Sequence, residues 1–212
     1  MLRSHRALRR GTALLTVIAL GFGLAACGDD SDGGSNASDE QTAASGDVFN
    51  NADVTFATDM IPHHAQAIEM VTLTDTRTLD PAVKQLAGSI RAAQAPEIET
   101  MVDWLTAWGE EIPATSIDHA NAGHDMSDMP SMESSEMPGM MSADDMEALA
   151  NASDAEFQDL WLEMMVEHHE GAIDMARTEQ ADGTFPDALS MAESIESSQR
   201  AEIEQIESLL GS

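Results

Sequence analysis

The chain has 212 residues, 39 of them acidic and only nine basic, giving a formal charge of −30 at neutral pH. All 39 acidic residues follow Cys27, against five basic ones (Arg77, Lys84, Arg91, Arg177, Arg200), so this part carries −34. It repels nucleic acid and anionic lipid and attracts cations, and with Cys27 as the single cysteine it offers no disulfide and no thiolate pair.

Arg3, Arg6, Arg9 and Arg10 precede an apolar run from Ala13 to Leu24. The run is too short to span a bilayer and has the layout of a signal peptide over residues 1–26. Leu24-Ala25-Ala26-Cys27 looks like a bacterial lipobox. The likeness implies cleavage before Cys27 and a diacylglycerol anchor on its sulfur, which places the protein on the outer face of the cytoplasmic membrane. Gly28 to Gly46 is rich in Gly, Ser, Asp and Asn and lacks Leu, Ile, Val and Phe. It reads as a disordered tether (27–46 with the lipidated cysteine) leading to a domain at 47–210.

The domain contains an internal repeat. A shift of 105 residues superposes Met60-x-x-His63-His64-x-x-Ala67-Ile68-x-Met70 on Met165-x-x-His168-His169-x-x-Ala172-Ile173-x-Met175. The register continues through Pro81 and Pro186, Gln94 and Gln199, and Glu97-Ile98-Glu99 and Glu202-Ile203-Glu204. Each copy (53–109 and 153–210) reads as a helical hairpin. A first helix is expected from about Asp53 to about Thr74, with Met60, His64, Ala67 and Val71 on one face. Asp80-Pro81 caps and opens a second helix, Pro96 should kink or break it, and Gly109 with Pro113 ends it. In the second copy Ser153-x-x-Glu156 forms a capping box for a helix to about Gln180, Asp182-Gly183 turns the chain, and Pro186 to Leu210 is the last helix. The expected fold is all-α: a four-helix bundle built from two repeated hairpins, with a long connection between them.

The chemistry lies in two places. On a helical wheel with Met60 at zero, His64 falls at about 40° and shares the apolar face. His63 and Met70 fall at about 300° and 280° and share its flank. Met165 with His169 and His168 with Met175 repeat both pairs, and Met164 stands four before His168. Methionines on an apolar face also serve as ordinary core, whereas burying four imidazoles is costly unless something satisfies their nitrogens. Thioether and imidazole, with no thiolate and no inward carboxylate motif, favour Cu(I) and tolerate Cu(II) through the histidines. Glu69 and Asp174 face the opposite way and read as solvated surface. The second place is the connection, 110–142. There His119, His124, Met126, Met129, Met132, Met137, Met140 and Met141 sit among Asp, Ser, Pro and Gly without the pattern of a packed element, although a short helix can begin at Ser142. It reads as a flexible soft-metal scavenging segment. The Glu-x-x-His pattern of di-iron bundles is absent, as is any Ser/His/Asp, Cys/His or phosphate-cradling motif.

The segments Met60–Met70 and Glu163–Met175, with Pro96-Glu97-Ile98-Glu99-Thr100-Met101 and the Met/His-rich connection, resemble the domain of unknown function 305 family over about Asp47 to Leu210. The resemblance implies a ferritin-like four-helix bundle, export and, for some members, copper binding or copper tolerance. Glu167 stands where the first copy has Pro62, a departure that implies different entry geometry at the two His pairs. The expected function is a lipid-anchored copper-binding buffer or chaperone that passes the ion to a partner protein. The alternatives are a metal-dependent oxidoreductase, for which no acid–base group is identifiable, and a structural lipoprotein without metal.

Overall fold

The computed structural model describes residues 40–115 and 137–211. The signal segment, Cys27, most of the tether, and His119, His124, Met126, Met129 and Met132 of the connection lie outside the described residues. Helices α1 (Asn51–Leu73), α2 (Pro81–Trp108), α3 (Ala143–Asn151), α4 (Asp154–Asp182) and α5 (Pro186–Leu210) follow one another. Four of them are long. The short α3 starts beside Ser142, whose hydroxyl accepts from Asp145 N–H.

Local chemistry sets the ends. Asn50 caps α1 by accepting from Ala52 N and Asp53 N, while the Asp53 carboxylate accepts from Asn50 N, a reciprocal box. Asp80 accepts from Ala82 N ahead of Pro81. Gly109 takes a left-handed φ of 80°, and Glu110 N–H closes the end of α2 on Leu105 O at 2.9 Å. Two expectations need correction. Pro96 does not break α2, which runs unbroken from Pro81 to Trp108. Ser153 makes no side-chain cap to the backbone; its hydroxyl instead donates to the Glu156 carboxylate at 2.7 Å, a side-chain pair in place of half the box.

The tether also ends earlier than its composition implies. Gln41–Thr42 pairs antiparallel with Val48–Phe49 around a turn at Gly46. Phe49 then stacks on Trp108 with ring centroids 4.6 Å apart, and Phe185 meets Trp108 edge-on. This aromatic corner fixes the end of the bundle where α1 begins and α2 stops.

Helix α1 packs on α2, α4 on α5, and α1 on α4, whereas α2 and α5 touch sparsely. The α1–α4 seam is antiparallel: Asn50 Nδ2 donates to Asp182 O at one end and Trp161 Nε1 to Met70 O towards the other. Together with the 105-residue offset this defines a pseudo-two-fold axis through the seam, exchanging His63 with His168. Because α4 runs against α1, as α2 does, the connection must start at one end of the bundle and re-enter at the other. That geometry requires a long crossover.

The apolar core falls into two clusters. One gathers Met70, Val71, Leu86, Ile90, Phe157, Trp161, Met165 and Ile206. The other gathers Phe56, Met60, Ile61, Met101, Leu105, Ala172, Ala188 and Ile195. Along every long helix the residues between the two clusters are the polar ones considered below.

A second buried polar group joins the two copies at the aromatic end. The Asp53 carboxylate is fully buried, and besides its own cap it accepts from Thr184 N and Phe185 N at the start of α5. Burial, and then the Asp53 carboxylate beside it, push the Glu179 carboxyl up to about 9. An unfolded Glu179 ionises above about pH 4.5 while the folded one stays protonated, so this group's contribution to stability is lost as pH rises from there towards 9. Glu179→Gln removes the ionisation. Urea unfolding midpoints at pH 5 and pH 8 should therefore drop less for the variant than for the parent, by more than about 1 kcal/mol. Equal drops would assign the slope elsewhere.

Candidate metal centre

His63 and His64 sit on α1 between the two apolar clusters, and His168 and His169 occupy the same level of α4. All four side chains are fully buried. The rings form a continuous row across the axis. Their centroids lie 6.5 Å apart from His64 to His63, 3.8 Å from His63 to His168 and 6.4 Å from His168 to His169. The two His pairs thus belong to one central belt and not to two remote sites.

The belt is wider than the histidines. Gln94 on α2 and Gln199 on α5, both buried, flank it at equivalent positions. At its rim the Glu97 carboxylate accepts from His64 Nε2 at 2.9 Å and Glu202 accepts from His169 Nε2 at 2.8 Å. Neither carboxylate was expected to point inward; that reading of the sequence is overturned. The signal was present, since Gln94/Gln199 and Glu97/Glu202 recur at the same 105-residue offset as the histidines.

Most of this polar layer lacks partners. The Nδ1 atoms of all four histidines, Nε2 of His168, both amide atoms of Gln94 and Oε1 of Gln199 are buried without a hydrogen bond among the described residues. Leaving one such group unsatisfied costs about 1–3 kcal/mol, so a cluster of eight calls for a ligand. Burial first, then repulsion from a charged His64, lowers His63 to about 3, against a small opposing pull from the Pro138 carbonyl. Burial and its histidine neighbours hold His168 well below the ordinary range as well. Both rings are therefore neutral at pH 7 and keep a lone pair to offer.

The methionines separate by level. Met60 belongs to the aromatic-end cluster, with Met175 partly buried against it. Met70, Met164 and Met165 belong to the other cluster. Met60 and Met165 stand four residues before His64 and His169 and so border the belt. Met70 is buried in the core beyond it, and Met175 is partly buried against the aromatic-end cluster. Among the described residues no three His, Cys, Asp or Glu side chains converge on one metal-binding point.

The end of the connection is not free. Gln66, one turn beyond His63, clasps the Met141 backbone by accepting from its N–H and donating to its carbonyl, both at 2.8 Å. Met141 is buried in the core, and Pro138 O accepts from His63 Nε2 at 3.2 Å. Gly139, at φ 72°, lies directly on Gly171 of α4. Residues 137–141 thus form a packed strap over the belt, where an unpacked segment was expected; Met137 and Met140 remain partly exposed.

Residues 53–210 match the family model described as domain of unknown function (DUF305). The chain belongs to this family. A DUF305 protein from Streptomyces coelicolor, described as a candidate secreted protein, is 30% identical over 76% of this chain and 92% of its own, with a TM-score of 0.63. A DUF305 fragment from Deinococcus radiodurans is 26% identical over 81% and 99%, with a TM-score of 0.65. CopM in its Cu(II)-bound form is 28% identical over 75% and 95%, with a TM-score of 0.58, and CopM is also solved in Cu(I)-bound and Ag-bound forms at 26% identity. No curated protein matches the chain.

Within this DUF305 bundle the strap passes at one place only because α4 carries Gly171, where the equivalent position of α1 carries Gln66. A Cβ on Gly171 would collide with the Pro138 carbonyl and lie 2.7 Å from Gly139 Cα. Gly171→Ala should lift the strap, lower stability by about 1–3 kcal/mol and speed hydrogen exchange at the Met141 amide. Unchanged protection of that amide would show the clasp on Gln66 to be independent of the glycine contact.

Proposed function

We propose that this protein binds copper outside the cytoplasm, taking Cu(I) at the buried histidine belt, and buffers it or hands it on. The observation that carries the reading is the row of four buried imidazoles whose Nδ1 atoms have no partner. The residues fit the ion. Neutral imidazole nitrogens, with the Met60 and Met165 thioethers bordering them, are a soft-to-borderline donor set, and no proton need be displaced from His63 or His168 at pH 7. Cu(I) is preferred and Cu(II) is admissible through nitrogen alone. The copper- and silver-bound forms of the similar CopM support the same reading, as does the acidic exterior, which concentrates cations around the bundle.

Each part of the chain has a place in this scheme. The belt is the retention site. In this reading His119, His124, Met126, Met129 and Met132, with the partly exposed Met137 and Met140, supply exchangeable ligands on the same chain as the belt, which raises their effective concentration. The lipobox at Cys27 would hold the exported protein at the outer face of the cytoplasmic membrane, and a partner that accepts the ion would meet it there. No helix among the described residues is long and apolar enough to cross a membrane.

Replacing His63, His64, His168 and His169 together by Ala should abolish tight Cu(I) binding in competition with a Cu(I) chelator and leave only weak loading on the connection. The helical circular dichroism should survive, because the imidazoles make few satisfied hydrogen bonds. Parent-like affinity in this variant would end the proposal. For the anchor, Cys27→Ser should move the protein from the membrane fraction to the soluble extracytoplasmic one; unchanged fractionation would refute lipidation.

A further inference from the structure

Every hydrogen bond made by the belt histidines uses the same ring atom. His64 Nε2 meets Glu97, His169 Nε2 meets Glu202 and His63 Nε2 meets the Pro138 carbonyl. A carbonyl has no proton to give, and an ionised carboxylate only accepts. The ring therefore donates from Nε2 in each case, and a neutral ring that does so carries its lone pair on Nδ1. The Nδ1 atoms of His63, His64 and His169 are buried and without a partner, as are both ring nitrogens of His168. We propose that Glu97 and Glu202 are positioning residues: by holding the Nε2 protons of His64 and His169 they orient both rings so that the soft metal is taken through Nδ1. The inference rests on the copper reading above.

Two further observations suit the carboxylates to this task. They are the partly exposed members of an otherwise sealed layer, at 20% and 16% of side-chain surface, so they keep contact with water while gripping rings that see none. Each also comes from the helix partnered with its histidine's helix, α2 for His64 and α5 for His169. A group on the same helix could not hold the ring edge from the far side. A histidine bound to metal through one nitrogen and to a carboxylate through the other has its plane and its tautomer fixed, and loss of such a partner typically costs about 10–100-fold in affinity. Glu97 further lines an open groove of about 400 Å³ between α2 and α5, together with Thr100, Trp104, Asp187 and Met191. Solvent thus reaches the back of the Glu97–His64 pair without reaching the ligand side.

The test reads the two nitrogens separately. The full chain labelled with [15N]histidine is titrated with Ag(I), a diamagnetic soft probe, at about pH 8, where free imidazole is neutral. The expected result is that Nδ1 of His64 and His169 shifts on binding while Nε2 keeps its proton. If Nε2 shifts or loses its proton, the positioning role is overturned and the soft-metal reading stands. If neither nitrogen moves, both fall. In parallel, Cu(I) affinity is measured by chelator competition. Glu97→Ala with Glu202→Ala should weaken binding about 10–100-fold, whereas Glu97→Gln with Glu202→Gln, whose amide oxygen still accepts from Nε2, should stay within about threefold of the parent. Equal losses for the Ala and Gln pairs would make the carboxylate charge itself the active element and overturn the positioning role, as would no loss in the Ala pair.

Discussion

Four imidazoles buried at mid-height of a helical bundle impose the constraint from which the remaining architecture follows. A polar layer of this kind cannot be stabilised by packing, so the apolar core must lie above and below it, and the molecule has two clusters accordingly. Each cluster draws on all four long helices, which is why those helices are long: each has to cross one core, the belt and the other core. The layer also fixes register. A slip of one turn along the α1–α4 seam would bring His63 against Met164 and Met165, or against Gly171 and Ala172, instead of His168, leaving imidazole nitrogens in hydrocarbon at a cost of about 1–3 kcal/mol apiece. In that sense the least comfortable residues of the protein specify its alignment.

The same constraint explains how the site is supported. Rings as close as those of His63 and His168, tilted by 40° to each other, cannot be held in place by one another, and their outer neighbours are held from the flanking helices by Glu97 and Glu202. The strap supplies the remaining contact, from Pro138 to His63. Among the described residues it has no counterpart at His168, so the two halves of the layer are alike in residue type and unlike in cover.

Much of this was legible in the amino-acid order, and the misses have physical reasons. The repeat, the four long helices, the caps at Asp80 and Gly109 and the selection of the histidine pairs all follow from local pattern, because capping and helical periodicity act within a few residues of one another. Glu97 and Glu202 were overlooked because each acts 33 residues away from its histidine. A helical wheel gives a side chain's angle about its own axis and says nothing about which residue of the neighbouring helix stands at the same height. The methionines illustrate the same limit: Met60 and Met70 lie within about 80° of each other on the wheel, yet they enter different cores because ten residues of rise separate them. The strap escaped notice because the clasp of Gln66 on Met141 is a side-chain amide mimicking a backbone partner, an interaction with no periodicity to read.

The antiparallel seam has an evolutionary consequence. Two identical surfaces facing each other across a two-fold axis form an isologous contact, which is how separate subunits of a symmetric dimer meet. A single hairpin of this sequence type could therefore rebuild the whole row of imidazoles by pairing with a second copy of itself. Joining two such hairpins into one chain frees their sequences to diverge, and Gly171 opposite Gln66 is a product of that freedom. An obligate dimer would have to carry the same residue at both places and so could seat no single strap across its axis. A row of imidazoles built from two hairpins in one chain can thus have a front and a back, where two identical subunits could not.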